Sequence, residues 1–154
     1  MEPANFNGGG QIVISGTAAA IDRAVAEAKT FGALKAVPLA VSAPFHCSLM
    51  QPAADRLATA LEEIELGEMK VPVVANVTGE ANPFASRVKE LLVAQVTGAV
   101  RWESCMKAVA DSDATSALEL GSGSVLRGLA RRIAKGFPVR TIGEPHEVRE
   151  TEIG

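Results

Sequence analysis

Cysteine is nearly missing from this sequence: Cys47 and Cys105 are the only two in 154 residues. Two thiols cannot form a disulfide framework, nor by themselves a four-ligand zinc site. The chain therefore reads as a reduced, cytoplasmic domain. A basic excess is also lacking. Fifteen Lys and Arg against 18 Asp and Glu leave a net charge of −3, and Arg131-Arg132 is the nearest approach to a basic run, so nucleic acid is not an expected partner. No apolar run is long enough to span a bilayer, and nothing in residues 1–10 resembles a signal peptide, so no membrane is expected either. None of the nine serines has glycine at both −2 and +2, so the Gly-x-Ser-x-Gly elbow of α/β hydrolases is absent.

What remains is the composition of a folded domain, 47% apolar and 21% charged, with strands alternating with helices. Gly8–Gly10 reads as a turn and Gln11–Ser15 as a strand. Thr17 stands at an N-cap before a helix carrying Ile21, Ala24, Val25, Ala28 and Phe31, which Gly32 stops. Leu34–Val41 reads as a strand at an edge, because of Pro38. Pro52 belongs to the first turn of a helix striped by Met50, Ala53, Ala54, Leu57, Leu61 and Ile64. Val71–Asn76 reads as a strand buried on both faces. Asn82-Pro83 opens a helix with Val88, Leu91, Leu92 and Val96, and Trp102, Met106 and Val109 mark another. Thr115–Leu120, the Gly121–Ser124 turn, a helix striped by Leu126, Leu129, Ala130 and Ile133, and Phe137–Ile142 complete a strand–helix–strand unit. Residues 143–154 read as a loose polar tail.

Candidate chemistry is sparse. His146 lies in the polar tail. His46 sits at a loop-to-helix junction, where one ring nitrogen can face a cleft while a backbone carbonyl holds the other; a histidine merely satisfied by local hydrogen bonds would look the same. Imidazole titrates near neutrality in water, which suits a general base. Cys47 is its neighbour, but adjacent residues seldom face each other, so both cysteines read as packed side chains. Gly121–Ser124 before a helix offers amides for a phosphate, yet neither a Walker lysine nor the third glycine of GxGxxG follows.

Five segments, in order, resemble the malonyl-CoA:acyl carrier protein transacylase family, carboxy-terminal half only. They are Ala4–Asn7 with Gln11–Gly16, Val37–Met50 with Pro52–Ala54, Val71–Val77, Leu92–Gln95 with Val100–Trp102, and Glu119–Leu129. The resemblance implies the carboxy-terminal part of an α/β-hydrolase-like parallel-sheet core plus part of a ferredoxin-like small subdomain. The small subdomain would take 1–42, the core 43–142 and the tail 143–154. It implies ping-pong transfer of malonyl from coenzyme A to the phosphopantetheine thiol of acyl carrier protein, with no cofactor beyond the coenzyme A thioester substrate. His46 matches the family's base and Gln95 the residue whose carbonyl holds it. Phe45 matches the pattern of malonyl-preferring members, where a ring crowds an α-methyl branch at a discrimination of about 1–3 kcal/mol. Asn5, Asn7 and Gln11 match an edge facing the pantetheine cleft.

The nucleophilic serine, the carboxylate-pairing arginine and the oxyanion amides of the family fall outside these segments. A base without a nucleophile forms no acyl-enzyme, so the chain alone is expected to be inactive, and either to pair with a separate amino-terminal half carrying the serine or to be a truncated reading of a longer gene. The competing expectations are a non-catalytic binding or scaffold module that keeps the fold, and an unrelated phosphate-binding domain using Gly121–Ser124.

Overall fold

The computed structural model describes residues 1–149. It opens with a hairpin. β1 (Glu2–Gly8) runs antiparallel to β2 (Gln11–Ser15), with Glu2 opposite Ser15 and Gly8 opposite Gln11. Two residues join them, Gly9 at φ 61° and Gly10 at φ 80°. Positive φ at both positions is what a two-residue turn must adopt to match the strand twist, and glycine does so without steric cost. α1 (Ala18–Glu27) follows, its first turn closed by Ala20 N donating to Thr17 Oγ1 at 3.4 Å. No residue of α1 is buried. The helix ends at Glu27, short of the expected Phe31, and turns continue to Gly32 at φ 85°.

Leu34–Val41 is not the expected strand. It is irregular coil with Leu34, Val37, Leu39 and Val41 exposed. A strand needs a neighbour to take its N–H and C=O groups, and none of the described strands pairs with this segment. A short 3₁₀ turn (Ser48–Met50) then leads into α2 (Gln51–Glu62), with Pro52 in its first turn as expected.

β3 (Val73–Ala75) and β4 (Glu80–Asn82) form a second antiparallel pair. The expected doubly buried strand over 71–76 is thus cut to three residues, and Val71 and Val73 are more than half exposed. Nothing among the described residues covers them. Asn82 ends β4 and is itself buried. Its Oδ1 accepts from Phe84 N at 3.2 Å while its Nδ2 donates to Phe84 O at 3.0 Å. This Asx turn precedes a 3₁₀ turn (Ala85–Arg87) and α3 (Val88–Thr97), so the helix starts later than Asn82-Pro83 suggests. α4 (Trp102–Ala110) falls where the apolar spacing places it.

β5 (Ala117–Leu120), α5 (Val125–Ile133) and β6 (Val139–Ile142) make the strand–helix–strand unit, and its strands are parallel. Parallel pairing holds here because a helix carries the chain back; the two- and four-residue connections of the other sheets permit only antiparallel pairs. α6 (Pro145–Arg149) corrects the expectation of a loose tail over 143–149; the rest of that segment, 150–154, lies outside the described residues.

The core gathers around α4, which packs on β1, β3, β4 and α5, while α5 packs on β6 and α2 on α3. Cys105, Met106, Leu129, Ala130 and Ile142 are buried there, with Ala4 from β1. One backbone junction ties the parts together. Phe6 N donates to Val100 O and Val100 N to Ala4 O, each at 2.8 Å, and Arg101 N donates to Asn76 O at 2.8 Å.

Two outcomes follow. Gly79 turns β3 into β4 at φ 75°, and a Cβ there would lie 2.5 Å from Ser104 Cβ on α4. Gly79→Ala is expected to cost about 2 kcal/mol or more, read by urea unfolding; an unchanged midpoint would contradict this packing. Glu147 accepts from Gly143 N at 2.8 Å and Glu144 N at 2.9 Å. The Glu144 and then the Gly143 amide hold its carboxyl below the usual value. A depressed carboxyl stabilises above its unfolded value, about 4.3, and the contribution vanishes as pH falls through the folded one. Protection of the 143–149 amides, taken relative to their intrinsic exchange, should therefore fall in that acid window in the wild type and show no such fall in Glu147→Gln.

Candidate active site

The loop before α2 holds one side chain by backbone constraint. Cys47 is fully buried and its Sγ donates to Pro44 O at 3.1 Å. With Cys47 anchored and Met50 N donating to Cys47 O at 3.0 Å, the residue between loop and anchor must turn sharply. That residue is His46, at φ 59°, the one non-glycine with positive φ among the described residues. Left-handed backbone costs an L-residue about 1–2 kcal/mol, and such strain gathers where geometry serves a site.

The ring meets α3. His46 Nδ1 lies 3.0 Å from the main-chain oxygen of Gln95. Gln95 is third from the end of α3, and the last four carbonyls of a helix have no partner within it. That oxygen is therefore free to accept. A carbonyl only accepts, which assigns a proton to Nδ1 and, in the neutral ring, the lone pair to Nε2. The Gln95 side-chain Nε2 donates to Gly98 O at 2.9 Å and makes a longer contact, 3.4 Å, with His46 Nδ1, while Oε1 is buried with no partner among the described residues.

The other candidates are dispersed. Phe45 adjoins His46 with its ring about half exposed. Asn5 and Asn7 are half-buried on β1, and Gln11 is exposed at the start of β2. None of these three side chains hydrogen-bonds to His46 or Gln95; the Asn5–Val100 bridge joins β1 to the connection between α3 and α4. Cys105 is buried against Asn76 Oδ1 at 3.4 Å, and burial pushes its thiol up from the ordinary value, so it is a packed group and not a nucleophile.

Gly121–Ser124 does not present a vacant anion cradle. Leu126 N and Arg127 N, the free donors opening α5, each donate at 2.9 Å to the Glu119 carboxylate. The chain fills its own helix N-terminus, which removes the basis of the phosphate-binding expectation. Sequence reading missed this cap, and missed Glu2, which holds Ser48 two residues after His46; both caps come from outside the usual three-residue window. Among the described residues no three His, Cys, Asp or Glu side chains converge to hold a metal, and no helix is long and apolar enough to cross a membrane.

No family model matches the chain. Individual proteins do. The malonyl CoA-acyl carrier protein transacylase of Salmonella typhimurium is 40% identical over 145 residues, which is 94% of this chain and 47% of that protein. The crystal structure of the acyl-carrier-protein S-malonyltransferase of Bartonella henselae superposes with a TM-score of 0.89 at 46% identity, covering 97% of this chain and 48% of that one. A malonyl-transacylase solved in complex with its type II PKS acyl-carrier protein superposes with a TM-score of 0.89 at 40% identity, over 96% of this chain and 48% of that one.

The fold class is thus the α/β fold of malonyltransferases, in partial form. Within that class the chain is similar to the carboxy-terminal half of malonyl CoA-acyl carrier protein transacylases. It spans about half the length of the curated relatives it matches.

Both His46→Gly and His46→Ala lose the bond to Gln95, but only glycine takes φ 59° freely. The glycine variant should unfold at higher urea, being more stable by about 1 kcal/mol. An alanine variant as stable as the glycine one would mean the left-handed turn is not formed.

Proposed function

We propose that this chain supplies the general base for malonyl transfer from coenzyme A to the phosphopantetheine thiol of acyl carrier protein. The observation that carries the reading is the 3.0 Å contact of His46 Nδ1 with the Gln95 carbonyl, which in the neutral ring leaves the lone pair on Nε2. In the reaction, Nε2 takes the proton of a serine hydroxyl as its oxygen attacks the malonyl thioester. The imidazolium then protonates the departing coenzyme A thiolate. In the second half, Nε2 takes the proton of the carrier thiol as its sulfur attacks the acyl-serine, and returns it to the serine oxygen. A neutral carbonyl orients the ring without burying a second charge.

The serine, the oxyanion amides and the cation for the malonyl carboxylate belong, in this reading, to an amino-terminal half that packs on the chain. The apolar side chains of Leu39, Val41, Val73, Leu120 and Val125, exposed here, and the unpaired edge of β5 are suited to receive it. Phe45 disfavours α-branched acyl groups, and Asn5, Asn7 and Gln11 border the pantetheine path. Residues 1–42 belong to the small subdomain, 43–142 to the core and 143–154 to its tail. The setting is cytoplasmic, in keeping with two buried free thiols, and no cofactor is required beyond the thioester.

Purified alone, the 154 residues should transfer no malonyl group. Supplying the amino-terminal half of a relative should give transfer, and His46→Ala should lower it by about 10²–10⁴-fold. Transfer by the lone chain, or a restored activity indifferent to His46→Ala, would overturn the reading. No transfer on association would favour a scaffold that keeps the fold alone.

A further inference from the structure

A histidine in left-handed backbone needs its main chain held as well as its ring. The chain leaves the Cys47 anchor at Ser48, which opens the 3₁₀ turn before α2. The first N–H groups of such a turn have no partner inside it, and Cys47 at the N-cap provides no side-chain bond. The cap arrives from 46 residues away. Both carboxylate oxygens of Glu2 lie 3.2 Å from Ser48 N, and Ser48 Oγ donates to Glu2 Oε1. The hydroxyl first, and the amide second, hold the Glu2 carboxyl below its ordinary value.

Glu2 is itself fixed. It begins β1, paired with Ser15, and β1 is bonded on its other side to Val100 through Ala4 O and Phe6 N. Val100 stands five residues beyond Gln95. The carboxylate that holds the main chain after His46 and the carbonyl that holds its ring are therefore joined through one short series of backbone bonds. The strand that carries the cap is thus bonded to the connection that leaves α3 just after Gln95.

We propose that Glu2 is a positioning residue for the His46 imidazole: by fixing Ser48 it sets the left-handed turn that brings Nδ1 to the Gln95 carbonyl. The inference rests on the reading of His46 as the base. Without the clasp, the turn relaxes, the ring leaves the carbonyl, and the proton distributes between the two nitrogens.

The test is nuclear magnetic resonance of the full chain with ¹⁵N-labelled histidine, in which long-range proton–nitrogen correlations report the tautomer. Wild-type His46 should show a protonated Nδ1 and a bare Nε2. In Glu2→Ala that preference should be lost, with amide signals of α4 and α5 and the ring signals of His146 unchanged. Glu2→Gln keeps one acceptor oxygen and should fall between. If Glu2→Ala does not fold, Ser48→Ala decides, since it deletes only the hydroxyl donation. A mixture of tautomers supports the inference, and the wild-type pattern overturns it. A folded Glu2→Ala with the wild-type tautomer likewise overturns it. A wild-type ring bare at Nδ1 is a different result, because it removes the base assignment itself.

Discussion

The hydrogen bond between His46 Nδ1 and the Gln95 carbonyl joins two accidents of helix geometry into one chemical state. Near the carboxyl end of α3 a carbonyl is left without a helical partner. At the amino-terminal approach to α2 the chain turns through a left-handed residue. Packing of α2 on α3 brings the two within 3.0 Å. An acceptor with no proton to give fixes the tautomer, and the tautomer determines which nitrogen can take a proton from a reactant. Remove any link, whether the turn, the helix end or the α2–α3 contact, and the ring has no defined basic nitrogen.

The remainder of the molecule has the character of a half-built interior. Its sheets are pairs, its parallel unit has two strands, and large aliphatic side chains stand on its surface, Leu34 and Leu120 among them. Each such side chain left in water forgoes roughly 1.5–3 kcal/mol relative to burial. The chain spans about half the length of relatives of the same fold; in the proposed reading, an amino-terminal half would complete the sheet and cover Val73 and Leu120. The proposed dependence of activity on that half and the uncovered surface are thus two expressions of one deficit.

Much of the fold was legible because helices are local. The spacing of Leu126, Leu129, Ala130 and Ile133 placed α5, Thr17 placed the start of α1, and Pro52 placed the first turn of α2. Strands were harder, since a strand exists by virtue of its partner. Leu34–Val41 has strand composition and no neighbour. Glu2–Gly8, with a proline and two asparagines, has poor strand composition and pairs well, with β2 on one side and Val100 on the other. At the site, the family resemblance named His46 and Gln95, but neither periodicity nor composition could show the left-handed backbone at His46. The caps from Glu2 and Glu119 were invisible for a related reason: their partners are set by tertiary packing, not by sequence distance. The Glu119 cap also decided against phosphate binding at a turn whose glycines alone suggested it.

The central claim concerns a single proton, and neutron diffraction from a deuterium-exchanged crystal of the chain locates it directly. A deuteron is expected on His46 Nδ1, directed at the Gln95 carbonyl oxygen, with Nε2 bare in the neutral ring. A deuteron on Nε2 with Nδ1 bare, or a ring rotated away from residue 95, would contradict it.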